Sequence, residues 1–339
     1  MRYRLLTFLL VAHLIPLTFA PARSMAQSPL AATPAAVCLT LQTFPVPAGD
    51  GPHDVAPAAD ATGVWYTGQR AGVLGLLDPT TGKTERVLLG AGSAPHGVVV
   101  GPDGAAWVTD GGLNAIVRVD ATTHAVQTFP LPPEGAQAAL NTAAFDTNGI
   151  LWFTGQNGVV GRLDPATQEV RVWPAPRGRG PYGITATPRG AVYYTSLAGS
   201  YLGQIAPDGD DVYITALDPP TTSAGVRRVW SDSHGLLWVS EWTAGQVGRF
   251  DPAAGTWREW PLPGDTPQAY AVYVDDHDAV WLSDFGANAL VRFDPASETF
   301  ASLPLPDPGA SVRQLAGRPG EVWGAESATD KLVRVRSTC

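Results

Sequence analysis

The stretch GLLWVSEWTAGQVGRFDP, residues 235–252, decides the fold of this 339-residue chain. Two runs of alternating apolar and polar or small residues flank a short loop, and the stretch ends in Asp-Pro, a pattern typical of two antiparallel strands and a turn. Similar stretches recur with a period of 41 to 45 residues, each with one aromatic anchor. This period predicts an all-β propeller of four-stranded blades. The anchors, which predict seven blades, are Trp65, Trp107, Trp152, Tyr193, Trp238, Trp281 and Trp323.

The strands at the two ends of the chain predict how the ring closes. Residues 41–47 form an outer-type strand before the first complete unit, whereas the last unit ends near Val335 without an outer strand. We therefore expect the N-terminal strand to become the fourth strand of the last blade. This pairing would also cover two sheet edges that would otherwise be open.

The N-terminal residues differ from the repeats. Arg2 and Arg4 precede an apolar run that ends at Phe19, and a small-x-small cleavage site follows at residues 24–26. Residues 1–26 are therefore predicted to be a secretory signal peptide. Residues 27–37 are predicted to be a disordered lead-in, and residues 38–339 a single propeller domain. The expected location is secreted or periplasmic, with retention of the apolar run as a membrane anchor as the alternative.

Charge and hydropathy limit the classes of partner. The chain has a net charge of −9. Removal of Arg2, Arg4 and Arg23 with the signal makes it −9 − 3 = −12. Such an acidic protein lacks the basic surface that nucleic acid requires. No later segment is long and apolar enough to span a membrane, and we expect a monomer.

The only two cysteines, Cys38 and Cys339, lie at the two ends of the predicted propeller domain. In an oxidising compartment such a pair is a candidate disulfide. The expected pairing of the first and last strands would bring the two residues together. The alternative is two unrelated thiols.

Two positions in each repeat are predicted to open at one mouth of the central channel. The innermost strand starts at this mouth, and the strand of the aromatic anchor runs back to it. The residue about eleven positions before each anchor forms the first set: His53, His96, Asn141, Tyr182, Arg227, Tyr270 and Arg313. The residue three positions after it forms the second set: Gly68, Asp110, Gly155, Ser196, Glu241, Asp284 and Glu326, with Gln69 and Gln156 beside the two glycines.

None of the first set is aliphatic, which indicates a polar binding site. For the two arginines and two of the acids the alternative is structural: Arg227 with Glu241, and Arg313 with Glu326, could form ion pairs within their blades. That alternative leaves the histidines and tyrosines of the first set unexplained.

The motifs resemble those of the streptogramin B lyase (virginiamycin B lyase) family over residues 41–336. The matching motifs are Pro-His-Gly-Val at 95–98, Asp-Gly-x-x-Trp-Val-Thr at 103–109, Asn-Ala-Ile-Val-Arg-Val at 114–119 and Phe-Pro-Leu-Pro at 129–132. The resemblance implies a seven-bladed propeller. It also implies magnesium-assisted opening of a lactone by elimination, with a histidine base and acidic metal ligands.

The catalytic positions of the family are largely replaced in this sequence. Where the family has Glu-Pro-His-Gly-Ile in its last blade, this chain has residues 311–315, so Ser311 replaces a metal-binding glutamate and Arg313 replaces the base. Arginine does not lose its proton under protein conditions. Tyr270 replaces a substrate-binding histidine, and Glu326 roughly keeps the second acidic position. Opening of streptogramins themselves is therefore not expected.

The Pro-His motif survives in two adjacent units, which suggests a site rotated around the ring. Here His96 would be the base, His53 a substrate ligand and Asp110 a metal-binding or orienting carboxylate. The candidate catalytic residues are His53, His96, Tyr182 and Tyr270. The candidate substrate ligands are Asn141, Arg227, Arg313, Gln69 and Gln156. The candidate ligands for Mg²⁺ or another divalent cation are Asp110, Glu241, Asp284 and Glu326.

Three functions are compatible with these residues. The first is a carbon–oxygen lyase, because neutral histidines, phenols and guanidinium groups suit proton abstraction next to a carbonyl group. Its substrate would be a small molecule of lactone type or an anionic carbohydrate. The second is a binding protein without turnover, since fold alone does not establish catalysis. The third is a metal-dependent hydrolase.

Overall fold

A computed structural model describes residues 38–209 and 211–337. These residues form seven antiparallel sheets of four strands each. The innermost strands of neighbouring sheets contact one another in sequence order, and the last contacts the first, so the sheets close into a ring. The predicted seven-bladed propeller is confirmed.

The strands occupy four positions in each blade. The innermost strands are β2 (Pro52–Pro57), β6 (Pro95–Val100), β10 (Leu140–Phe145), β14 (Pro181–Ala186), β18 (Val226–Ser231), β22 (Ala269–Val274) and β26 (Val312–Arg318). The anchor strands are β3 (Val64–Gly68), β7 (Ala106–Asp110), β11 (Leu151–Gly155), β15 (Val192–Ser196), β19 (Leu237–Glu241), β23 (Val280–Asp284) and β27 (Glu321–Glu326). The third strands are β4 (Val73–Leu77), β8 (Ala115–Val119), β12 (Val159–Asp164), β16 (Tyr201–Asp208), β20 (Gln246–Asp251), β24 (Ala289–Asp294) and β28 (Lys331–Ser337). The outer strands are β1 (Leu39–Pro45), β5 (Thr84–Leu88), β9 (Val126–Pro130), β13 (Glu169–Pro174), β17 (Asp211–Leu217), β21 (Thr256–Pro261) and β25 (Thr299–Pro304).

An aspartate in the first turn of several blades holds both the turn and the anchor. In the fifth blade, Asp232 accepts the backbone N–H groups of His234 and Leu236 through Oδ1. Its Oδ2 accepts the indole N–H of Trp238 at 3.0 Å. The turn residue thus satisfies the polar atom of the anchor and leaves the indole ring free to pack.

The anchors pack between blades. Trp65 of the first blade is 1 % exposed and lies in one apolar cluster with Val98, Val108 and Val117 of the second blade. Burial of such a ring between two sheets supplies much of the energy that holds neighbouring blades together. Trp65 is therefore a packing residue between two blades.

Each innermost strand has a register irregularity close to its first residue. In β2, Pro52 pairs with Gly68, but the next pairing joins Val55 to Tyr66. The same shift occurs near the start of the other six innermost strands. A β-bulge re-orients side chains where it interrupts the ladder. These bulges therefore lie where the first set of predicted site residues begins.

The ring is closed by the N-terminal strand, as predicted. β1 pairs with β28 in antiparallel register from Leu39 opposite Ser337 to Pro45 opposite Lys331. Asp330 strengthens the junction because its carboxylate accepts the backbone N–H groups of Gly49 and Gly51.

Several predictions concern residues outside the described ranges. These are the signal peptide, the lead-in and Cys339, so the proposed disulfide with Cys38 stays a prediction. Among residues 38–209 and 211–337 no helix has the length and apolar character needed to cross a membrane.

Candidate functional site

The seven residues of the first set meet around the channel axis, and we call them the axial ring. Each is the second residue of an innermost strand, next to the bulge. The two histidine rings lie 3.8 Å apart between centroids, and His96 lies edge-on to Tyr182 at 6.1 Å. Tyr182 and Tyr270 share a hydrogen bond of 2.8 Å between their hydroxyl groups. The structure therefore shows that this set converges around the channel axis, as predicted.

A buried aspartate orients His53. The Nδ1 atom of His53 lies 2.8 Å from Oδ1 of Asp54. Because a carboxylate only accepts, Nδ1 donates and Nε2 keeps its lone pair. Arg228 reaches across the channel and donates two hydrogen bonds to the same carboxylate, at 2.9 and 3.3 Å. The result is an aspartate–histidine dyad that holds one tautomer.

Burial and the positive charges of nearby arginines keep the histidine of this dyad unprotonated. Burial lowers the pKa of His53 well below 6.5, and the charges of Arg228, Arg313 and Arg227 lower it further. Burial also raises the pKa of Asp54, while Arg228 opposes this shift. At neutral pH the imidazole is therefore unprotonated, and its Nε2 atom is a base.

His96 is held differently. Its Nε2 atom lies 3.3 Å from Nδ2 of Asn141, whose Oδ1 accepts the hydroxyl of Thr142. The amide nitrogen therefore donates to Nε2, which uses the lone pair of His96, and the Nδ1 atom is buried without a partner among the described residues. Burial, followed by the proximity of His53, lowers the pKa of His96 well below 6.5. This geometry favours His53 over His96 as a base, whereas the sequence suggested the reverse roles.

The two arginines of the axial ring contact phenols rather than acids. Arg227 donates to the hydroxyl of Tyr182 at 2.7 Å, and its guanidinium carbon lies 3.6 Å from the centroid of the Tyr270 ring. Arg313 donates to the hydroxyl of Tyr270 at 3.1 Å and to Ser327 at 2.7 Å. Among the described residues neither arginine forms an ion pair, so the alternative of internal arginine–glutamate pairs is not supported. Two half-buried positive charges are thus available to an anionic group.

The same charges separate the pKa values of the two phenols. Burial raises the pKa of Tyr182, and Tyr270 raises it further. Burial also acts to raise the pKa of Tyr270, but Arg227, Arg228 and Arg313 outweigh burial and lower it. Tyr270 is therefore the more acidic of the two phenols.

The second set does not meet in the channel. Its carboxylates are buried, and each is bound within its own blade or loop. Asp110 accepts the backbone N–H groups of Ala94, Gly112 and Leu113. In the last three blades, Gln246 donates to Glu241 and Thr329 donates to Glu326. The backbone N–H groups of Gln268 and Gly286 donate to Asp284.

The half-buried residues at this mouth come one position later than the second set. They are Gln69, Gly111, Gln156, Leu197, Trp242, Phe285 and Ser327. Sequence reasoning included Gln69 and Gln156 but missed the two aromatic residues. Phe285 stacks on Tyr270 at 4.5 Å between centroids, and the indole of Trp242 lies 5.2 Å from the guanidinium carbon of Arg227. Their signal was their position directly after the anchor strand, where the chain emerges at the mouth.

The candidate metal ligands do not form a site in this arrangement. Within the described ranges, the groups of three potential ligands whose atoms lie within 4.8 Å of one another are His53–Asp54–His96 and Asp275–Asp276–His277. Neither contains one of the four predicted carboxylates. Magnesium prefers several oxygen ligands, whereas the first group offers one carboxylate already paired with Arg228. The residues of the axial ring therefore do not fit Mg²⁺.

Comparison with known proteins places the chain in a family. A model of the virginiamycin B lyase family matches residues 35–253. A virginiamycin B lyase from Nocardia farcinica (strain IFM 10152) is 32% identical over 225 residues, which are 66% of this chain and 74% of that protein. The chain belongs to the virginiamycin B lyase family.

Solved structures of the virginiamycin B lyase family share the fold. A streptogramin B lyase matches with a TM-score of 0.80 and 22% identity, covering 88% of this chain and 98% of that one. A catalytically inactive histidine-to-alanine variant of the virginiamycin B lyase from Staphylococcus aureus, with quinupristin, matches with a TM-score of 0.80 and 23% identity over 88% of this chain and 99% of that one. At this identity the likeness establishes the seven-bladed fold alone.

Proposed function

We propose that the chain is a carbon–oxygen lyase that acts at the axial ring on a small anionic or lactone-type substrate. The observation that supports this most directly is the Asp54–His53 dyad beside two arginines that have no acidic partner among the described residues. Membership of the virginiamycin B lyase family supports the reaction class. The replacement of the family's base by Arg313 argues for a different substrate from that of the named relatives.

In the proposed reaction, Nε2 of His53 takes a proton from the carbon next to a carbonyl or carboxylate group. The electron pair of that C–H bond forms a carbon–carbon double bond, while the neighbouring C–O bond breaks and its electron pair leaves with the oxygen. The guanidinium groups of Arg227 and Arg313 stabilise the negative charge that develops on the carbonyl oxygen. A positioned general base contributes about 10²- to 10⁴-fold in rate.

The leaving oxygen determines whether an acid is needed. If a lactone opens, a carboxylate leaves and requires no proton. If an alkoxide leaves, as from a carbohydrate, Tyr270 is the phenol suited to protonate it, since its pKa is lowered by the neighbouring arginines despite its burial. His53 then releases its proton to solvent, Tyr270 takes one up from solvent if it has acted as the acid, and no water is consumed.

Burial sets a condition on this reaction. His53 is 3 % exposed, so a substrate reaches it only if side chains at the mouth move. The half-buried Arg227 and Arg313 are the long side chains there, and an incoming anion would draw their guanidinium groups away from the phenols. The proposed mechanism uses no metal step, and the Mg²⁺ expected from the family resemblance stays a prediction.

The test is a screen of lactone depsipeptides and uronic-acid oligosaccharides for products with a new double bond. In H₂¹⁸O, a lyase product contains no solvent oxygen, whereas incorporation of ¹⁸O would identify a hydrolase and refute the proposal. With an active substrate, His53→Gln should lower kcat at least about 100-fold. The matched control is His277→Gln, since His277 is exposed in a distant turn. Unchanged turnover in His53→Gln would also refute the assignment.

Binding without turnover is a second candidate, favoured by the close packing of the axial ring. Tyr270 is 2 % exposed and satisfied by Tyr182 and Arg313. A ligand that raises the melting temperature, is recovered unchanged and loses its effect in Arg227→Gln would support this candidate.

Export, a monomeric state and the Cys38–Cys339 bridge complete the proposal. They rest on the N-terminal sequence, the net charge and the pairing of β1 with β28. N-terminal sequencing of the exported protein, size-exclusion chromatography with light scattering, and mass spectrometry before and after reduction test the three points separately.

A further inference from the structure

The central channel contains a cavity of about 400 Å³ on the side of the axial ring away from the mouth. All seven innermost strands contribute to its wall, which is largely apolar. The last residues of several of these strands are half-buried and form its open rim, as at Pro57, Val100 and Phe145. We call this space the channel cavity.

A buried ion pair separates the channel cavity from the axial ring. Asp54 and Arg228 line the cavity and bind each other across the channel. Arg228 also donates to the hydroxyl of Thr142 at 2.7 Å. Since the two charges are paired, the floor presents no net charge. A ligand in the channel cavity would rest on this pair without needing to contact His53, which is not part of the lining.

Three polar side chains in the wall have hydrogen-bonding capacity that the described residues leave unused. Gln314 lines the cavity and is 8 % exposed. Its Oε1 accepts the backbone N–H of Val55, whereas its amide nitrogen has no hydrogen-bond partner among the described residues. The indole N–H of Trp230 and the hydroxyl of Thr185 also bind no described group. By contrast, the indole N–H of Trp238 has an aspartate partner. None of these three donor groups is among the fully buried atoms that lack a partner, so they remain accessible and can donate hydrogen bonds to a ligand that supplies acceptors.

We propose that the channel cavity binds a neutral, mostly apolar small molecule that carries hydrogen-bond acceptors such as carbonyl oxygens. Its volume lies within the range of about 300 to 1,000 Å³ that small-molecule sites occupy. The apolar wall selects an apolar body, the neutral floor disfavours a charged head, and the free donors orient the acceptors. This site is separate from the proposed lyase site and does not depend on it.

The experiment uses the neutral dye Nile red, which has a carbonyl acceptor and fluoresces strongly in apolar surroundings. The propeller should bind it with a saturable rise and a blue shift of emission at a stoichiometry of one. Ala144→Trp places a large ring in the wall and should weaken binding at least tenfold. Trp230→Phe keeps an aromatic ring but removes the N–H donor and should weaken binding about two- to tenfold, the effect of one hydrogen bond.

Two control variants distinguish dye bound in the channel cavity from dye bound elsewhere on the propeller. Leu88→Ala and Tyr213→Ala each remove an exposed apolar side chain that does not line the channel cavity; both should bind the dye like the unmodified protein. Equal binding in Ala144→Trp and Trp230→Phe, or loss of binding in Leu88→Ala or Tyr213→Ala, would overturn the proposal. If Ala144→Trp does not fold, Trp230→Phe alone decides, with unchanged affinity counting against the site.

Discussion

Replacing Glu241 by glutamine should stabilise the propeller, and more so as the pH rises. Glu241 is completely buried, with Oε2 bound to Gln246 and Oε1 without a partner in the part of the chain that the structure describes. Burial raises the pKa of this carboxyl from 4.5 to about 8. The folded protein therefore keeps the proton at pH 7, whereas the unfolded chain loses it above pH 4.5. Ionisation favours the unfolded state throughout that interval.

The size of the effect follows from the shift. One pKa unit corresponds to about 1.4 kcal/mol, so ionisation in the unfolded chain costs about 1 kcal/mol of stability at pH 5 and about 4 kcal/mol at pH 8. A glutamine cannot ionise. The difference in the free energy of unfolding between Glu241→Gln and the unmodified protein should therefore grow in favour of the variant by about 3 kcal/mol from pH 5 to pH 8. Urea denaturation at pH 5, 6.5 and 8 measures the difference, and Glu134→Gln, at an exposed position, is the matched control.

The outcome also bears on the metal prediction. A carboxyl must lose its proton to bind a cation, so a protonated Glu241 is a poor ligand at neutral pH. A pH-independent difference between Glu241→Gln and the unmodified protein would refute the assigned pKa. Stabilisation by millimolar Mg²⁺ at pH 7 that disappears in Glu241→Gln would instead show that the carboxylate binds a cation.

Three further predictions concern the histidines, the blade interface and the ring closure. Because the pKa values of His53 and His96 are lowered in the fold, their contribution to stability should be retained above about pH 6.5 and fall by up to about 1.4 kcal/mol per pH unit per histidine below it. The test uses the Glu241→Gln variant, which lacks the opposing titration of Glu241; urea midpoints of this variant that stay constant from pH 7.5 to 5.5 would contradict the prediction. Trp65→Ala should cost about 3–5 kcal/mol by leaving a cavity between the first two blades, as measured by chemical denaturation. Asp330→Ala should cost about 1–3 kcal/mol by leaving backbone donors of residues 49 and 51 unpaired, and an unchanged melting temperature would show that this junction adds nothing.

The sequence specified the fold well because the repeat is regular. The number of blades, the four strands in each blade and the exchange of β1 into the last blade all follow from the period and from alternation, which depend on local residues. The axial ring was predictable for the same reason, since equivalent positions in a propeller point to one axis.

The parts of the site that were missed depend on the bulges. In a regular strand, neighbouring side chains point to opposite faces. A prediction that places His53 at the channel axis therefore places Asp54 on the other face of the strand, away from the channel. The bulge in β2 lets both residues face the channel, and the same device in β18 gives both Arg227 and Arg228 access to it. The aspartate–histidine dyad therefore could not be predicted from the alternation of residues in the strand. The residues predicted as the second set lie one position before those that face the mouth. Alternation specifies poorly the exact residue at which a strand ends, which explains this error.

The pairing of β1 with β28 has a consequence for biosynthesis. Thr43 lies opposite Val333, a separation of 333 − 43 = 290 residues, so β1 has no strand to pair with until β28 has been synthesised. Six blades can assemble before β28 has been synthesised, but the seventh is completed only after β28 has become available. Until then the nascent protein is an open arc with an unpaired sheet edge, the state in which a chaperone would encounter it.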